Sequence, residues 1–105
     1  MLVVSRFRVP VDEGEAFRAG IQEALDVLAQ RPGHLGGTIG RNVDDPELWV
    51  LSTRWEHVGA YRRALSAYDV KLRAVPLLSR ALDEPSAYEV VEPDAVLNVP
   101  EARVT

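Results

Sequence analysis

The chain has 105 residues and a mass of 11.6 kDa, and 47% of its residues are hydrophobic. These values are typical of one globular domain and exclude an intrinsically disordered chain. The formal net charge of −4 argues against nucleic acid as a partner, because binding to phosphates requires clustered positive charge. The sequence contains no cysteine, which excludes disulfides, thiolate nucleophiles and iron–sulfur clusters.

The apolar stretches of the chain are short. None approaches the roughly 20 residues that a membrane-spanning helix requires. The first residues, MLVVSRFRV, lack the apolar core of a signal peptide, because Arg6 and Arg8 interrupt them. We therefore expect a cytoplasmic protein that does not contact a membrane.

The first half of the chain alternates between strand and helix patterns. Residues 2–9 (LVVSRFRV) are rich in β-branched residues and predict the first strand. A helix is predicted over about 12–31, because apolar residues recur there at spacings of three and four and a Pro-Gly pair ends the pattern. Residues 34–43 predict a glycine-rich second strand, and residues 47–55 predict the third. The short Asp-Asp-Pro turn between these two strands indicates an antiparallel hairpin.

The second half repeats the helix and strand order. A helical region is predicted over about 57–82 with a break at Pro76, because a proline removes a backbone hydrogen bond inside a helix. Residues 86–92 (SAYEVVE) predict a last strand. We therefore interpret residues 1–92 as one domain and residues 93–105 as a C-terminal tail.

The element order β-α-β-β-α-β predicts a ferredoxin-like α+β fold, in which two helices cover one face of a four-stranded antiparallel sheet. The third strand is apolar on both faces, with Trp49, Leu51 and Trp55 on one and Leu48 and Val50 on the other. Because the helices cover only one face, this pattern predicts a homodimer that forms through the other face and closes a dimeric α+β barrel.

Three segments resemble the antibiotic biosynthesis monooxygenase family: RPGHLGG (31–37), DP (45–46) and WVLSTRWEHVGAYRRAL (49–65). The resemblance covers residues 2–92, and its most telling element is Trp55 at the end of a strand with Tyr61 on the helix that follows. It implies a dimer of ferredoxin-like chains, each with a pocket between sheet and helices. It also implies oxidation of phenols or quinols by molecular oxygen without metal or flavin, so no cofactor is expected.

One branch of that family degrades haem, using an Asn on the first strand and a Trp and a His on the second helix. Here Ser5 stands near the first of these positions, and Ala64 and Ala74 occupy the other two. The resemblance therefore does not extend to haem degradation. The chain also has only two histidines, His34 and His57. Neither has a metal-binding side chain four residues later, so no metal site is predicted.

Cofactor-free oxygenation requires a substrate anion and a group that holds negative charge on oxygen. A Tyr or His can move the proton and an Arg can hold the anion. The catalytic candidates are Tyr61, Tyr68, His57 and Arg54. The candidates for binding an aromatic substrate are Ser5, Trp49, Trp55 and Leu65. For each residue a purely structural role is the alternative: a packed core for the aromatic residues, a helix cap for His57 and an ion pair for Arg54.

The sequence thus favours a small cofactor-independent monooxygenase that acts on an aromatic or polyketide-like molecule. Two alternatives stay open. One is a non-catalytic ligand-binding or regulatory module with the same fold, and the other is an isomerase-type enzyme that transfers protons in the same pocket.

Overall fold

The computed structural model of the chain describes residues 1–97. Four strands form one sheet in the order β2-β3-β1-β4, and all neighbouring strands are antiparallel. The predicted ferredoxin-like α+β fold is thereby confirmed. In chain order the elements are β1 (Leu2–Arg8), a 3-10 turn (Val11–Glu13), α1 (Gly14–Ala29), β2 (His34–Arg41), β3 (Leu48–Trp55), α2 (Val58–Ser66), α3 (Tyr68–Arg73), α4 (Val75–Leu78) and β4 (Ala87–Tyr88).

The second helical region differs from the prediction, because it consists of three short helices. The chain leaves helical geometry at Ala67, whose φ and ψ are −68° and 140°, and again at Ala74, whose φ is −119°. Pro76 lies in the first turn of α4, where its missing N–H group costs no hydrogen bond. Pro76 thus lies where a new helix begins, and because it has no N–H group to donate to the carbonyl of Leu72, it also prevents α3 from continuing. The predicted break near Pro76 is therefore present, at Ala74, but the break at Ala67 was not predicted.

The last strand is also shorter than predicted. It consists of Ala87 and Tyr88, which pair with the first two residues of β1. The rest of β1 on that edge lies beside an irregular segment, residues 82–86, which we call the arch. The amide of Leu82 donates to the carbonyl of Arg6 at 2.8 Å, and the amide of Val4 donates to the carbonyl of Ser86 at 2.7 Å. The arch is thus fixed at both ends and bows away from β1 between them.

The core lies between the sheet and the helices. Alternate residues of β1 and β3 point towards it, as expected for the period of two in a strand. Phe17, Ile21, Ala24 and Leu28 form the buried stripe of α1 and pack in one cluster with the helix-facing residues of the sheet: Val3, Phe7, Trp49, Leu51 and Trp55. The opposite face carries Leu2, Val4, Leu48 and Val50, all only partly buried in one chain.

Candidate functional site

A cavity of about 550 Å³ lies between β1, the helices and the arch. We call it the β1 cavity. It exists because β4 is too short to cover the edge of β1, so the bowed arch leaves space there. Its lining is mostly apolar, and the residues are Val4, Ser5, Arg6, Tyr61, Leu65, Lys71, Val75, Leu78, Ser79, Ala81, Leu82, Glu84 and Ser86. An enclosure of this size with a few polar groups fits a small-molecule site.

An ion pair holds the arch against β1. The Nε atom of Arg6 donates to Oε2 of Glu84 at 2.9 Å, and a terminal nitrogen donates to Oε1 at 2.6 Å. This two-point geometry is the strongest arrangement for an arginine and a carboxylate. The hydrogen bond from Arg6, followed by its positive charge, lowers the pKa of Glu84. Glu84 is therefore ionised at neutral pH and is a poor proton acceptor.

Tyr61 is the aromatic residue that lines the cavity. Burial raises the pKa of its phenol above the ordinary value, so the hydroxyl keeps its proton at neutral pH. Within residues 1–97 this hydroxyl forms no hydrogen bond, and neither does that of Ser5. Both hydroxyls are thus available to a ligand. Tyr61 can donate a hydrogen bond or a proton, but it is not set up as a base.

Three of the eight predicted site residues line the β1 cavity: Ser5, Tyr61 and Leu65. Trp55 is fully buried behind them, with its ring centroid 5.6 Å from that of Tyr61. Its indole N–H donates to Oγ1 of Thr53 at 2.9 Å, so Trp55 has no free polar group to offer a ligand. It positions the Tyr61 ring by packing.

The other four predicted residues lie elsewhere. His57 is exposed, and its Nδ1 accepts the amide N–H of Ala60 at 3.1 Å, which caps α2. Arg54 is exposed on the face of the sheet opposite the helices. Tyr68 is 76% exposed at the start of α3. The sequence predicts one helix through both Tyr61 and Tyr68, which is wrong, because the chain turns at Ala67 between them. Trp49, the fourth, lines a different groove.

Three charged side chains of the cavity, Lys71, Arg6 and Glu84, were not among the predicted site residues. Lys71 lines it from α3 and forms no ion pair with any of residues 1–97. The helix break at Ala67 brings Lys71 to the cavity. An alanine at position 67 does not predict a break in the helix. The pair of Arg6 and Glu84 is different. An arginine inside a strand usually has a partner, but the sequence does not show which carboxylate that is.

Groups of three or more histidine, aspartate or glutamate side chains that could hold a metal ion do not occur within residues 1–97. In the same part of the chain, no helix has the length and apolar character needed to cross a bilayer. The polar groups that converge in the β1 cavity are hydroxyls, one ammonium group and one ion pair. Such a set can bind and stabilise an organic anion, and it can return a proton to it.

The family model described as antibiotic biosynthesis monooxygenase matches residues 1–71, which is more than half of the chain. The chain belongs to this family. The matched residues include β1, Tyr61, Leu65 and Lys71, whereas the arch lies outside them. A comparison with curated proteins gave no match in sequence.

Solved structures of several proteins share this family's fold. SnoaB, a cofactor-independent oxygenase from Streptomyces nogalater, has 22% identity and a TM-score of 0.69, with 90% of this chain and 96% of that one covered. A candidate antibiotic biosynthesis monooxygenase from Deinococcus radiodurans has 16% identity and a TM-score of 0.71, with coverages of 93% and 100%. A conserved protein from Methanosarcina mazei Go1 has 19% identity and a TM-score of 0.67, with coverages of 82% and 84%. At these identities the likeness establishes a shared fold.

Proposed function

We propose that the chain is a small cofactor-independent monooxygenase that acts on an aromatic or polyketide-like molecule in the β1 cavity. The observation that carries this proposal is the cavity itself, in which the free hydroxyls of Tyr61 and Ser5, one unpaired cation and one ion pair line a mostly apolar space of about 550 Å³. Membership of the monooxygenase family supports it. So does the fold shared with SnoaB, which is described as a cofactor-independent oxygenase.

The chemistry places a demand on the substrate. Glu84 is the carboxylate that lines the cavity, and Arg6 keeps its pKa low, so a strong base is absent from the lining residues 4–86. The substrate must therefore be acidic itself, as are fused-ring phenols whose anions are delocalised. Lys71 holds the negative charge of the substrate oxygen, and the Tyr61 hydroxyl donates to the same anion.

The proposed reaction uses the substrate anion as the reductant of dioxygen. The anion passes one electron to dioxygen, and the resulting substrate radical and superoxide combine to form a carbon–oxygen bond. The resulting peroxide anion takes a proton, which Tyr61 in the lining can supply, and the hydroperoxide so formed loses water. A ring methylene and dioxygen become a carbonyl and water, so the carbon loses the four electrons that dioxygen gains. This balance needs no further reductant.

We further propose that the protein acts as a homodimer through the face of the sheet opposite the helices. Leu2, Val4, Leu48 and Val50 place apolar side chains there, and no helix of residues 1–97 packs on them. An apolar sheet face left in water is unfavourable, and a second copy would cover it. Sedimentation at micromolar concentration should give twice the chain mass, and a monomer would contradict this proposal.

The catalytic proposal is tested with anthrone, a fused-ring compound with an acidic methylene. We expect the purified, metal-free protein to consume one dioxygen for each anthraquinone formed. Tyr61→Phe keeps the ring that packs on Trp55 but removes the hydroxyl, so turnover should fall about a hundredfold with little loss of stability. Lys71→Met should reduce turnover by a similar factor, since it removes the charge that holds the anion.

Tyr68→Phe is the matched control, because it removes the same hydroxyl from a tyrosine that does not line the cavity. Its turnover should equal that of the unmodified protein. Saturable anthrone binding without oxygen consumption would replace the monooxygenase with the ligand-binding alternative. Equal turnover in Tyr61→Phe and the unmodified protein would remove Tyr61 from the mechanism.

A further inference from the structure

A second concave surface lies on the other side of the molecule, between α1 and β2. We call it the α1 groove. It encloses about 930 Å³ and shares no lining residue with the β1 cavity. Its floor is apolar where Trp49 and Ile39 line it, and its walls carry the side chains of Glu15, Arg18 and Arg41. The proposed monooxygenase reaction uses none of these groups.

One residue that lines the groove, Trp49, has a buried donor without a partner. Trp49 is 7% exposed, and within residues 1–97 its indole N–H forms no hydrogen bond. Buried indole N–H groups usually have an acceptor, because leaving one unpaired is costly. The rest of the indole is well packed, with its ring edge-on to Phe17 at 5.4 Å. Packing therefore fixes the ring while its polar atom lacks an acceptor.

Positively charged side chains line the same groove as the Trp49 ring. The guanidinium carbon of Arg41 lies 5.6 Å from the Trp49 ring centroid. Neither Arg41 nor Arg18, on the facing wall, forms an ion pair within the described part of the chain. Glu15 supplies one negative charge, so the groove carries a net charge of about +1 in a chain whose net charge is −4. This balance suits a ligand with a single negative charge.

We propose that the α1 groove is a second ligand site, which binds a small aromatic carboxylate through the indole N–H of Trp49 and the guanidinium groups of Arg41 and Arg18. The planar carboxylate matches the fork of an arginine and can accept from the indole N–H at the same time. The aromatic body lies on Trp49 and Ile39. Arg41 is exposed and lies over the ring, so its side chain moves with the entering carboxylate and brings that group to the indole edge.

Naphthoate is the probe, because it joins a flat apolar body to one carboxylate. The chain has two tryptophans, so isotope-labelled protein gives two indole N–H signals by NMR, and Trp49→Phe assigns them. Naphthoate should shift the Trp49 signal saturably and leave the Trp55 signal in place. Naphthalenemethanol, which lacks the charge, and inorganic phosphate, which lacks the apolar body, should leave both signals unshifted.

Arginine variants test the charge contribution. Arg41→Gln and Arg18→Gln should each weaken naphthoate binding about tenfold, since each removes a charge-assisted hydrogen bond. Arg62→Gln is the control, because Arg62 is an exposed arginine on α2 that lines neither concave surface. An unshifted Trp49 signal at millimolar naphthoate would overturn the proposal. An equal shift with naphthalenemethanol or phosphate would also overturn it. Undiminished naphthoate binding in a variant that carries both Arg41→Gln and Arg18→Gln would do the same.

Discussion

Trp49 and Trp55 lie at opposite ends of β3 and point to the same side of the sheet, yet their indole groups differ. Trp55 is fully buried, and Thr53 accepts its N–H group. Trp49 is almost as buried, but its N–H group has no acceptor within residues 1–97. The difference teaches that a buried aromatic residue is not automatically a structural one. Trp55 supports the β1 cavity by packing, whereas Trp49 carries an unused donor at the α1 groove.

Replacing each tryptophan by phenylalanine should give the largest difference in stability between the two ends of β3. Trp55→Phe leaves the hydroxyl of Thr53, a residue only 3% exposed, without its partner and also creates a void. We expect it to lower the free energy of unfolding by about 2–4 kcal/mol. Trp49→Phe also leaves a void but removes a donor that has no acceptor, so its cost should be about 1–2 kcal/mol smaller. Urea unfolding of both variants measures the difference, and equal losses would contradict the comparison.

Glycine substitutions probe the backbone at the same two ends. Gly33, near Trp55, has a φ of +88°, and an added Cβ would lie 2.5 Å from Cβ of Ala60. Gly33→Ala should therefore cost about 1–3 kcal/mol. Gly14, near Trp49, is helical, and an added Cβ would lie 4.0 Å from the indole. Gly14→Ala should change stability by less than about 1 kcal/mol, so comparable losses in thermal unfolding would disprove this contrast.

The Trp55 end should also be sensitive to pH. The ring of His34 packs edge-on against Trp55 at 5.0 Å, and burial, then the charge of Arg54, lowers the pKa of His34. The unfolded chain consequently binds more protons than the folded one just below about pH 6.5. Stability should therefore fall as the pH drops below that value. His34→Gln should flatten this part of the curve, and an unchanged slope in the variant would assign the pH dependence to another group.

The smallest effect is expected at the arch. The pKa of Glu84 is lowered in the folded chain, so its contribution to stability is present above the ordinary carboxyl value of about 4.3 and is lost as the pH falls through the lowered one. The side chains of Arg6 and Glu84 are 43% and 31% exposed, which keeps the effect small. Glu84→Gln should slightly reduce the loss of folding stability at acidic pH. Glu23→Gln, which removes another exposed ion pair, should not alter the anthrone reaction.

The sequence predicted the fold better than the site. Hydrophobic spacing located β1, α1 and β3, because the periods of strand and helix are visible in which residues are apolar. Tyr61, which was selected with Trp55 from the family resemblance, lines the β1 cavity. Tyr68 was misplaced because Ala67, a residue with high helix propensity, is where the chain turns.

The hydrogen-bond partners of side chains could not be predicted. The pairing of Arg6 with Glu84 and the acceptor of the Trp55 indole depend on which side chains meet after folding. The missing acceptor of Trp49 could not be predicted either, because the alternation in β3 places Trp49 and Trp55 on the same face and does not distinguish them. Sequence periodicity gives the face on which a side chain lies, but not its hydrogen-bond partner.

The ion pair between Arg6 and Glu84 connects positions 78 residues apart, which has a consequence for the order of folding. Contacts between distant residues carry a large loop-closure cost and form late, whereas the β2–β3 hairpin joins near neighbours. Strands β1, β2 and β3 and helix α1 can thus assemble before the arch docks, so the arch is the last wall of the β1 cavity to form. Hydrogen exchange should show this, with the amide of Leu82 exchanging faster than the amides at the centre of β3.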